Sequence, residues 1–163
     1  MSSVRLGCER LFDDEADLIR GRRVGLITNH SGVDAQLVAT ADRLHESELC
    51  QLVALFGPEH GIRGAAQDGE KIGTFNDPQT GVPAYSLYGE TREPDTDMLA
   101  DIELMLFDIQ DVGARFYTYL YTMSLSMAAC ARHGIPFAVL DRPNPIGGER
   151  VAGNILDTAF ASF

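Results

Sequence analysis

The chain has 163 residues, of which 45% are hydrophobic and 23% are charged, and its formal net charge is −11. This composition excludes a disordered chain and allows one compact domain with a substantial core. The acidic balance disfavours nucleic acid and anionic membranes as partners, and no apolar stretch approaches the roughly 20 residues of a membrane span. The first residues lack the apolar run of a signal peptide, which predicts a cytoplasmic location. The three cysteines form no CxxC pair, so the sequence indicates neither a disulfide framework nor a zinc knuckle.

The predicted elements alternate between helices and short apolar strands. In chain order they are a helix over residues 9–20, a strand over 24–28, a helix over 35–46, a strand over 51–56, a short helix near 96–100, a strand over 104–107, a long helix over 117–133 and a strand over 136–140. Short apolar runs separated by helices are typical of parallel strands buried on both faces. The sequence therefore predicts a single α/β domain over residues 1–163, Rossmann-like and doubly wound, with a mainly parallel sheet and helices on both faces.

Residues 57–94 do not fit this alternation. They contain seven glycines and four prolines, and only residues 84–88 have the composition of a strand. A loop of this length inside a compact domain is usually functional, or it conceals an element that the pattern does not reveal.

Polar side chains follow every predicted strand at its carboxyl end. Ligands bind outside this edge in open parallel sheets, so these groups are expected to converge on one site. They combine carboxylates, imidazoles and guanidiniums, although loop polarity and helix capping explain any single one of them equally well. The candidates are Asn29 and His30 after the first strand, Glu59, His60 and Arg63 after the second, Asp108, Gln110, Asp111 and Arg115 after the third, and Asp141, Arg142 and Asn144 after the fourth.

Two nucleotide-binding motifs can be tested against the sequence. A dinucleotide fingerprint requires GxGxxG directly after the first strand, where this chain reads Thr28-Asn29-His30-Ser31-Gly32. The sequence also contains no GxxxxGK phosphate loop followed by Ser or Thr. The fold is therefore expected not to bind NAD or ATP in the usual way, and no cofactor is predicted.

Five unusual stretches occur in a fixed order along nearly the whole chain. They read GLITNHSGVD over residues 25–34, LFGPEHGIRG over 55–64, YSLYG over 85–89, FDIQDVGARFYTY over 107–119 and LDRPNPIGG over 140–148. In content and order they resemble the exo-β-N-acetylmuramidase family of the NamZ type. The resemblance implies an enzyme that removes terminal N-acetylmuramic acid from the non-reducing ends of peptidoglycan fragments. It also implies a second domain, expected to be missing here and to pack against this one, which leaves open whether the chain is active alone.

Glycoside hydrolysis usually requires a general acid and a second carboxylate across the scissile bond. Glu59 is the candidate general acid because it follows an apolar strand in a partly buried position, and His60 is expected to orient it or to share its proton. Alternatively, Glu59 accepts backbone N–H bonds from the glycine-rich turn that follows. Asp108 and Asp111 are the candidates for the second carboxylate, but Asp108 could equally pair with Arg115, and Asp111 could cap the next helix.

N-acetylmuramic acid carries a lactyl carboxylate and a 2-acetamido group, and each requires a particular partner. A guanidinium pairs with a carboxylate through two parallel hydrogen bonds, which makes Arg63, Arg115 and Arg142 candidates, although Arg142 could instead pair with Asp141. The acetamido oxygen can itself act as the nucleophile. Tyr88 is a candidate for contact with the sugar. Four further aromatic residues either stack on the sugar or pack in the core: Phe116, Tyr117, Tyr119 and Tyr121.

Two other functions fit the same residues. A metal-dependent hydrolase would use Glu59, His60, Asp108 and Asp141 as ligands, although the four histidines show no HxH or HExxH spacing. A non-catalytic module would bind muramyl sugars without turnover. The sequence itself predicts no metal site.

Overall fold

The computed structural model describes residues 4–64, 74–89 and 91–161, and a six-stranded sheet forms its centre. The strands are β1 (Arg23–Thr28), β2 (Gln51–Gly57), β3 (Phe75–Asn76), β4 (Pro83–Ser86), β5 (Leu104–Asp108) and β6 (Phe137–Val139). They are arranged in the order β3-β4-β2-β1-β5-β6, and only the β3–β4 pair is antiparallel. The predicted α/β fold with a mainly parallel sheet is therefore confirmed.

The helices connect these strands. They are α1 (Gly7–Phe12), α2 (Thr40–Glu46), α3 (Thr96–Leu99) and α4 (Tyr119–Arg132), with short 3-10 helices at Ala16–Leu18 and Thr158–Phe160. In the part of the chain that the structure describes, no helix is both long and apolar enough to cross a bilayer.

The core lies on both sides of the sheet because successive side chains of a strand point to opposite faces. In β5, Leu104 and Leu106 belong to a cluster that includes apolar residues of α1 and α2. Met105 and Phe107 belong to a second cluster, which includes apolar residues of α3 and α4. Burial of both faces explains why each central strand is a continuous apolar run, and it confirms the prediction of helices on both faces.

The first half of the predicted helix over residues 35–46 is wrong. Asp34 is buried, and its Oδ1 accepts the backbone N–H groups of Gln36 and Val38 at 2.9 Å each, which holds a turn in place of a helix. Leu37 adopts a φ of 63° and is exposed, so it belongs neither to a helix nor to the core. Helix α2 begins only at Thr40.

The predicted helix over residues 9–20 ends early as well. Helix α1 stops at Phe12, since Asp13 leaves helical geometry with φ −107° and ψ −82°. The Arg10 guanidinium then pairs with Asp14 and Glu15, and this local ion-pair cluster separates α1 from the following 3-10 helix.

The order of the strands places a crevice at one edge of the sheet. From β1 the chain moves to β2 and β4 on one side, and it then returns to β5 and β6 on the other side. The strand order thus reverses at β1, and parallel sheets bind ligands outside the carboxyl ends of the strands at such a point. The loops after β1, β2 and β5 meet there.

Candidate functional site

A cleft of about 600 Å³ lies at the reversal point of the sheet. Five of the sequence-predicted site residues line it, so the structure brings together three loops that are far apart in sequence. Their catalytic and binding roles stay predictions. The lining consists of Asn29, His30 and Ser31 after β1, Glu59 and His60 after β2, and Gln110, Val112, Phe116, Tyr117, Thr118 and Tyr119 after β5.

A strained turn directs Glu59 and His60 into this cleft. The Gly61 backbone N–H donates to the Pro58 carbonyl at 3.0 Å, so Glu59 and His60 are the two central residues of a four-residue turn. His60 has a φ of 71°, the left-handed conformation that a type II turn requires at this position. Glycine or asparagine normally supplies it, and a non-glycine residue here costs about 1–2 kcal/mol. Strain of this kind concentrates at functional sites.

The Glu59 carboxylate is half-buried and contacts the start of α4. The Thr118 hydroxyl donates to Glu59 Oε2 at 3.3 Å, and Thr118 makes no capping hydrogen bond to its own helix. No hydrogen bond from the turn after Glu59 to its carboxylate is found among the described residues, in contrast to the alternative raised from the sequence. The carboxylate is therefore held by a side chain across the cleft.

A chain of hydrogen bonds joins the loops after β1 and β5. The Gln110 backbone N–H donates to Ser31 Oγ at 2.9 Å, and Ser31 Oγ donates to Asn29 Oδ1 at 2.6 Å. The Ser31 backbone N–H donates to the same Asn29 oxygen at 2.9 Å. Gln110 Nε2 donates to the carbonyls of Asp111 and Pro143, which turns this side chain toward the backbone. These contacts fix the floor of the cleft.

Close packing holds His30 at the rim of the cleft. A side chain on Gly64 would place its Cβ 2.9 Å from His30 Nδ1, and Gly64 also adopts a φ of 70°. Only glycine combines that φ with such a close approach without strain. The glycine of the FGPEHGIRG stretch therefore allows the loop after β2 to lie against the imidazole of the loop after β1.

Asp108 is not among the described residues that line the cleft, so the structure does not place it where the predicted second catalytic carboxylate would lie. It is fully buried, and its two oxygens accept from Arg142 Nε at 2.7 Å and from Arg142 Nη2 at 3.0 Å. The Thr40 hydroxyl also donates to Asp108 Oδ2, at 2.6 Å. The expected partners, Arg115 for Asp108 and Asp141 for Arg142, are therefore replaced by a buried Asp108–Arg142 ion pair. This ion pair also engages the Arg142 guanidinium, which was one of those predicted to bind the lactyl carboxylate.

Arg63 is likewise engaged within the protein rather than open to a substrate. Its guanidinium donates to both carboxylate oxygens of Asp77 at 3.0 and 2.7 Å, and to both oxygens of Asp42 at 3.2 and 2.7 Å. The hydrogen bonds from Arg63 lower the pKa of the buried Asp77 carboxyl from 3.8 to about 2, against the effect of burial. The hydrogen bond to Asp77 is also the main reason why the pKa of Arg63 is raised. Arg63 therefore anchors the loop after β2.

The remaining predicted residues lie in two neighbouring grooves. Tyr88 and Arg115 line a groove of about 580 Å³ that shares Phe116 and Thr118 with the cleft. Asp111, Asp141 and Asn144 line a groove of about 270 Å³ beside β6. There Asp111 Oδ2 accepts the Gly113 backbone N–H and Asn144 Oδ1 accepts the Ile146 backbone N–H, so both side chains fix loop turns. Asp111 does not cap α4, the alternative raised for it.

The start of α4 contributes to the cleft, and the sequence pattern did not indicate this. Thr118 was not considered, and Tyr119 was considered only for stacking or core packing, yet both line the cleft. A helix that follows a parallel strand begins near the carboxyl edge of the sheet, so its first residues face the same site as the preceding loop. This topological rule would have included them. In the described ranges, no group of three or more His, Cys, Asp or Glu side chains is placed to hold a metal ion.

Comparisons with known proteins agree with this architecture. The chain is 51% identical over 160 residues to the peptidoglycan beta-N-acetylmuramidase NamZ of Bacillus subtilis (strain 168), covering 98% of this chain and 39% of that protein. The crystal structure of a DUF1343 family protein from Bacteroides fragilis NCTC 9343 superposes with a TM-score of 0.88 at 47% identity, over 97% of this chain and 39% of the other. A second DUF1343 structure from that organism gives a TM-score of 0.79 at 36% identity, with coverage of 99% and 40%.

The chain thus spans about two fifths of the length of the relatives that it matches. The model of one protein family matches residues 24–163, which is most of the sequence. On this evidence, the chain belongs to the family described as exo-beta-N-acetylmuramidase NamZ, N-terminal.

Proposed function

We propose that this chain carries the general acid of an exo-acting β-N-acetylmuramidase, which removes terminal N-acetylmuramic acid from the non-reducing ends of peptidoglycan fragments. The observation that carries the proposal is the position of Glu59, a half-buried carboxyl in a cleft of about 600 Å³ at the reversal point of the sheet. The name of the Bacillus subtilis relative supports the choice of substrate class.

Glu59 has the surroundings that a general acid needs. The strained turn after β2 presents its carboxyl to the cleft, and Thr118 holds one of its oxygens. The other oxygen is then available to protonate the glycosidic oxygen as the bond to the anomeric carbon breaks. His60, the next residue of the turn, lies in the same lining and is the proposed orienting group.

The second group of the reaction is not supplied by this lining. Glu59 is the one carboxylate among the described residues that line the cleft, since Asp108 is buried in its ion pair with Arg142. As the glycosidic bond breaks, the anomeric carbon is attacked by the acetamido oxygen of the substrate, by a carboxylate outside this lining, or by a water that such a carboxylate deprotonates.

Arg115 is the proposed partner of the lactyl carboxylate. Arg63 and Arg142 are committed to carboxylates of the protein, whereas Arg115 is exposed in the groove of about 580 Å³ that adjoins the cleft. A sugar in the cleft could therefore extend its lactyl group past Phe116 toward this guanidinium.

Exposed apolar side chains in residues 146–160 are the proposed contact surface for the second domain that the family resemblance implies. Val151 is fully exposed at 100%, and Ile155 is exposed at 94%. Large apolar side chains on one segment commonly mark an interface.

The proposal is tested by comparing Glu59→Gln with Glu48→Gln. Both glutamates flank β2, but Glu48 is exposed near its amino end, far from the carboxyl edge. Loss of a general acid lowers the rate by about 10²–10⁴-fold. The loss should be greater for a β-linked muramyl disaccharide than for a nitrophenyl glycoside, because nitrophenolate leaves without a proton. Release of N-acetylmuramic acid is measured by chromatography, with and without a chelator.

The outcomes separate the candidate functions. Turnover by the parent that collapses only in Glu59→Gln and survives the chelator supports the proposal. Turnover that the chelator abolishes supports the metal-dependent hydrolase. A parent that binds N-acetylmuramic acid but never releases it from a glycoside is a binding module. Equal turnover by both variants removes Glu59 from the chemistry.

A further inference from the structure

The Asn29 side chain has a buried donor whose direction is fixed by its neighbours. Asn29 is 4% exposed, and its Oδ1 accepts both the backbone N–H and the hydroxyl of Ser31. The amide nitrogen on the opposite branch is buried, and within the described residues it makes no hydrogen bond of good geometry. An amide nitrogen can only donate, and an unsatisfied buried donor is costly. A site built in this way calls for an acceptor beside Asn29.

The Tyr119 hydroxyl is the polar group next to this amide, and both residues line the cleft. Tyr119 is the first residue of α4 and lines the cleft together with Asn29 and Glu59. Burial raises the pKa of Tyr119 above 10.0, the nearby Glu59 and Tyr117 raise it further, and only the Asn29 amide acts against the rise. The Tyr119 side chain is therefore a neutral phenol that keeps its proton.

The arrangement sets the direction of that proton. When the Asn29 amide approaches the phenol oxygen, it occupies a lone pair, so the Tyr119 proton must point to another acceptor. The rings of Tyr117 and Tyr119 pack edge to face at a centroid distance of 5.8 Å, and both residues line the cleft. Tyr119 therefore presents a donor to a ligand in the cleft.

The chemistry around this donor matches an acetyl group. The carbonyl oxygen of an acetamido group only accepts hydrogen bonds, which suits a position where the Tyr119 hydroxyl donates. Its methyl group requires apolar contacts, and Val112, Phe116 and Tyr117 line the same cleft. The acetamido group of an N-acetylated sugar is attached next to the anomeric carbon, so its binding group must lie close to the general acid. Tyr119 meets this condition, because the preceding residue, Thr118, donates a hydrogen bond to Glu59.

We propose that the Tyr119 hydroxyl, held in place by Asn29, donates a hydrogen bond to the carbonyl oxygen of the 2-acetamido group and thereby selects N-acetylated sugars. This inference rests on the proposed function, because it assumes that a muramyl sugar occupies the cleft with its anomeric carbon near Glu59. Tyr119 is the specificity residue, and Asn29 is a positioning residue that acts through it.

The test measures binding of two sugars that differ only at carbon 2. These are N-acetylmuramic acid and the 3-O-lactyl ether of glucose, which has a hydroxyl in place of the acetamido group. Affinities are measured by calorimetry for the parent, for Tyr119→Phe, and for the matched control Tyr85→Phe, whose ring packs on Phe56 outside the cleft lining. Thermal melting checks that each variant is folded.

The expected result is a preference of the parent for N-acetylmuramic acid that Tyr119→Phe reduces about tenfold, the effect of one buried hydrogen bond. Affinity for the glucose ether should change by less than about twofold, and Tyr85→Phe should keep the parent's preference. Asn29→Asp, which keeps the acceptor and removes the donor, should also lower the preference. Adding Tyr119→Phe to it should lower the preference no further, because the two residues act as one unit.

Each other outcome overturns the inference in a recognisable way. A parent that binds both sugars equally, or a Tyr119→Phe variant that keeps its preference, refutes acetamido selection and leaves the proposed function intact. Equal loss of affinity for both sugars shows that the hydroxyl serves another group. A folded parent that binds neither sugar refutes the proposed function, and the inference with it.

Discussion

Replacing the buried Arg142 with methionine should cost far more stability than replacing an exposed arginine of this fold. The Arg142 side chain is 6% exposed and forms two hydrogen bonds with Asp108, which is 0% exposed. Methionine fills similar volume but leaves the buried Asp108 carboxylate with the Thr40 hydroxyl as its one remaining side-chain donor among the described residues. Breaking a buried pair in this way costs about 3–5 kcal/mol.

The assay is urea unfolding at pH 7, supported by thermal melting. For a chain of this size, each kcal/mol lowers the melting temperature by about 2–4 °C, so the expected decrease is roughly 6–20 °C. The matched control is Arg150→Met, since Arg150 lies on the same C-terminal segment and is exposed. Its free energy of unfolding should stay within about 0.5 kcal/mol of the parent value.

A double variant separates loss of charge pairing from loss of packing. Asp108→Leu combined with Arg142→Met removes both charges, and replacing a whole buried pair by apolar residues is often nearly neutral. The double variant should therefore be more stable than Arg142→Met alone. An Arg142→Met variant whose free energy of unfolding lies within about 1 kcal/mol of the parent value would refute the reasoning from an unpaired buried charge. A double variant less stable than Arg142→Met would refute it too.

Three further predictions use single sites. Arg63 lowers the pKa of Asp77 to about 2, so the ionised Asp77 contributes about 2 kcal/mol to the free energy of unfolding above its ordinary pKa of 3.8, and this contribution is lost as the pH falls toward 2. Acid unfolding of the Asp77→Asn variant should lack this pH dependence, and a profile equal to the parent's would contradict the pairing. His60→Gly should remove the cost of the positive φ, so its free energy of unfolding in urea should be no lower than the parent's and up to about 1 kcal/mol higher, while sugar release falls. A marked loss of stability would mean that the turn is not strained. A thiol reagent at pH 8 should label the half-buried Cys50 first, because the other two cysteines are buried and burial raises the pKa of Cys130 to about 11. Cys50→Ser should abolish this fast phase. Rapid labelling of two thiols per chain would contradict the prediction and show that the core opens.

The strands could be predicted from the sequence because a strand buried on both faces needs apolar residues at consecutive positions. Every central strand is a continuous apolar run, and the predicted strand over residues 51–56 differs from β2 by one residue. The helices were harder, since an apolar spacing does not show where a side chain will compete for the backbone. Asp34 takes the N–H groups of Gln36 and Val38, and this local competition removes the first turns of the helix predicted there.

The location of the site could also be predicted, but the role of each charge could not. Convergence of the loops follows from the parallel topology alone, and the cleft lies where the strand order reverses. Whether a carboxylate faces that cleft or turns inward depends on a partner elsewhere in the chain. Asp108 binds Arg142, which lies 34 residues away in the sequence, and Thr40, which lies 68 residues away. A local sequence pattern predicts neither contact.

The inward-facing charges explain how three separate loops can hold one cleft in shape. The Thr28 hydroxyl donates to the Asp108 carbonyl at 2.9 Å, which joins the ends of β1 and β5, and Arg63 ties the loop after β2 to Asp77. Groups that act on a substrate must be fixed before it arrives, because a displacement of about 1 Å can cost a hundredfold in rate. A cleft assembled from three separate loops therefore needs anchors that do not touch the ligand. The buried pairs at this edge supply them, which is why residue types typical of catalysis occur there in greater number than the chemistry itself requires.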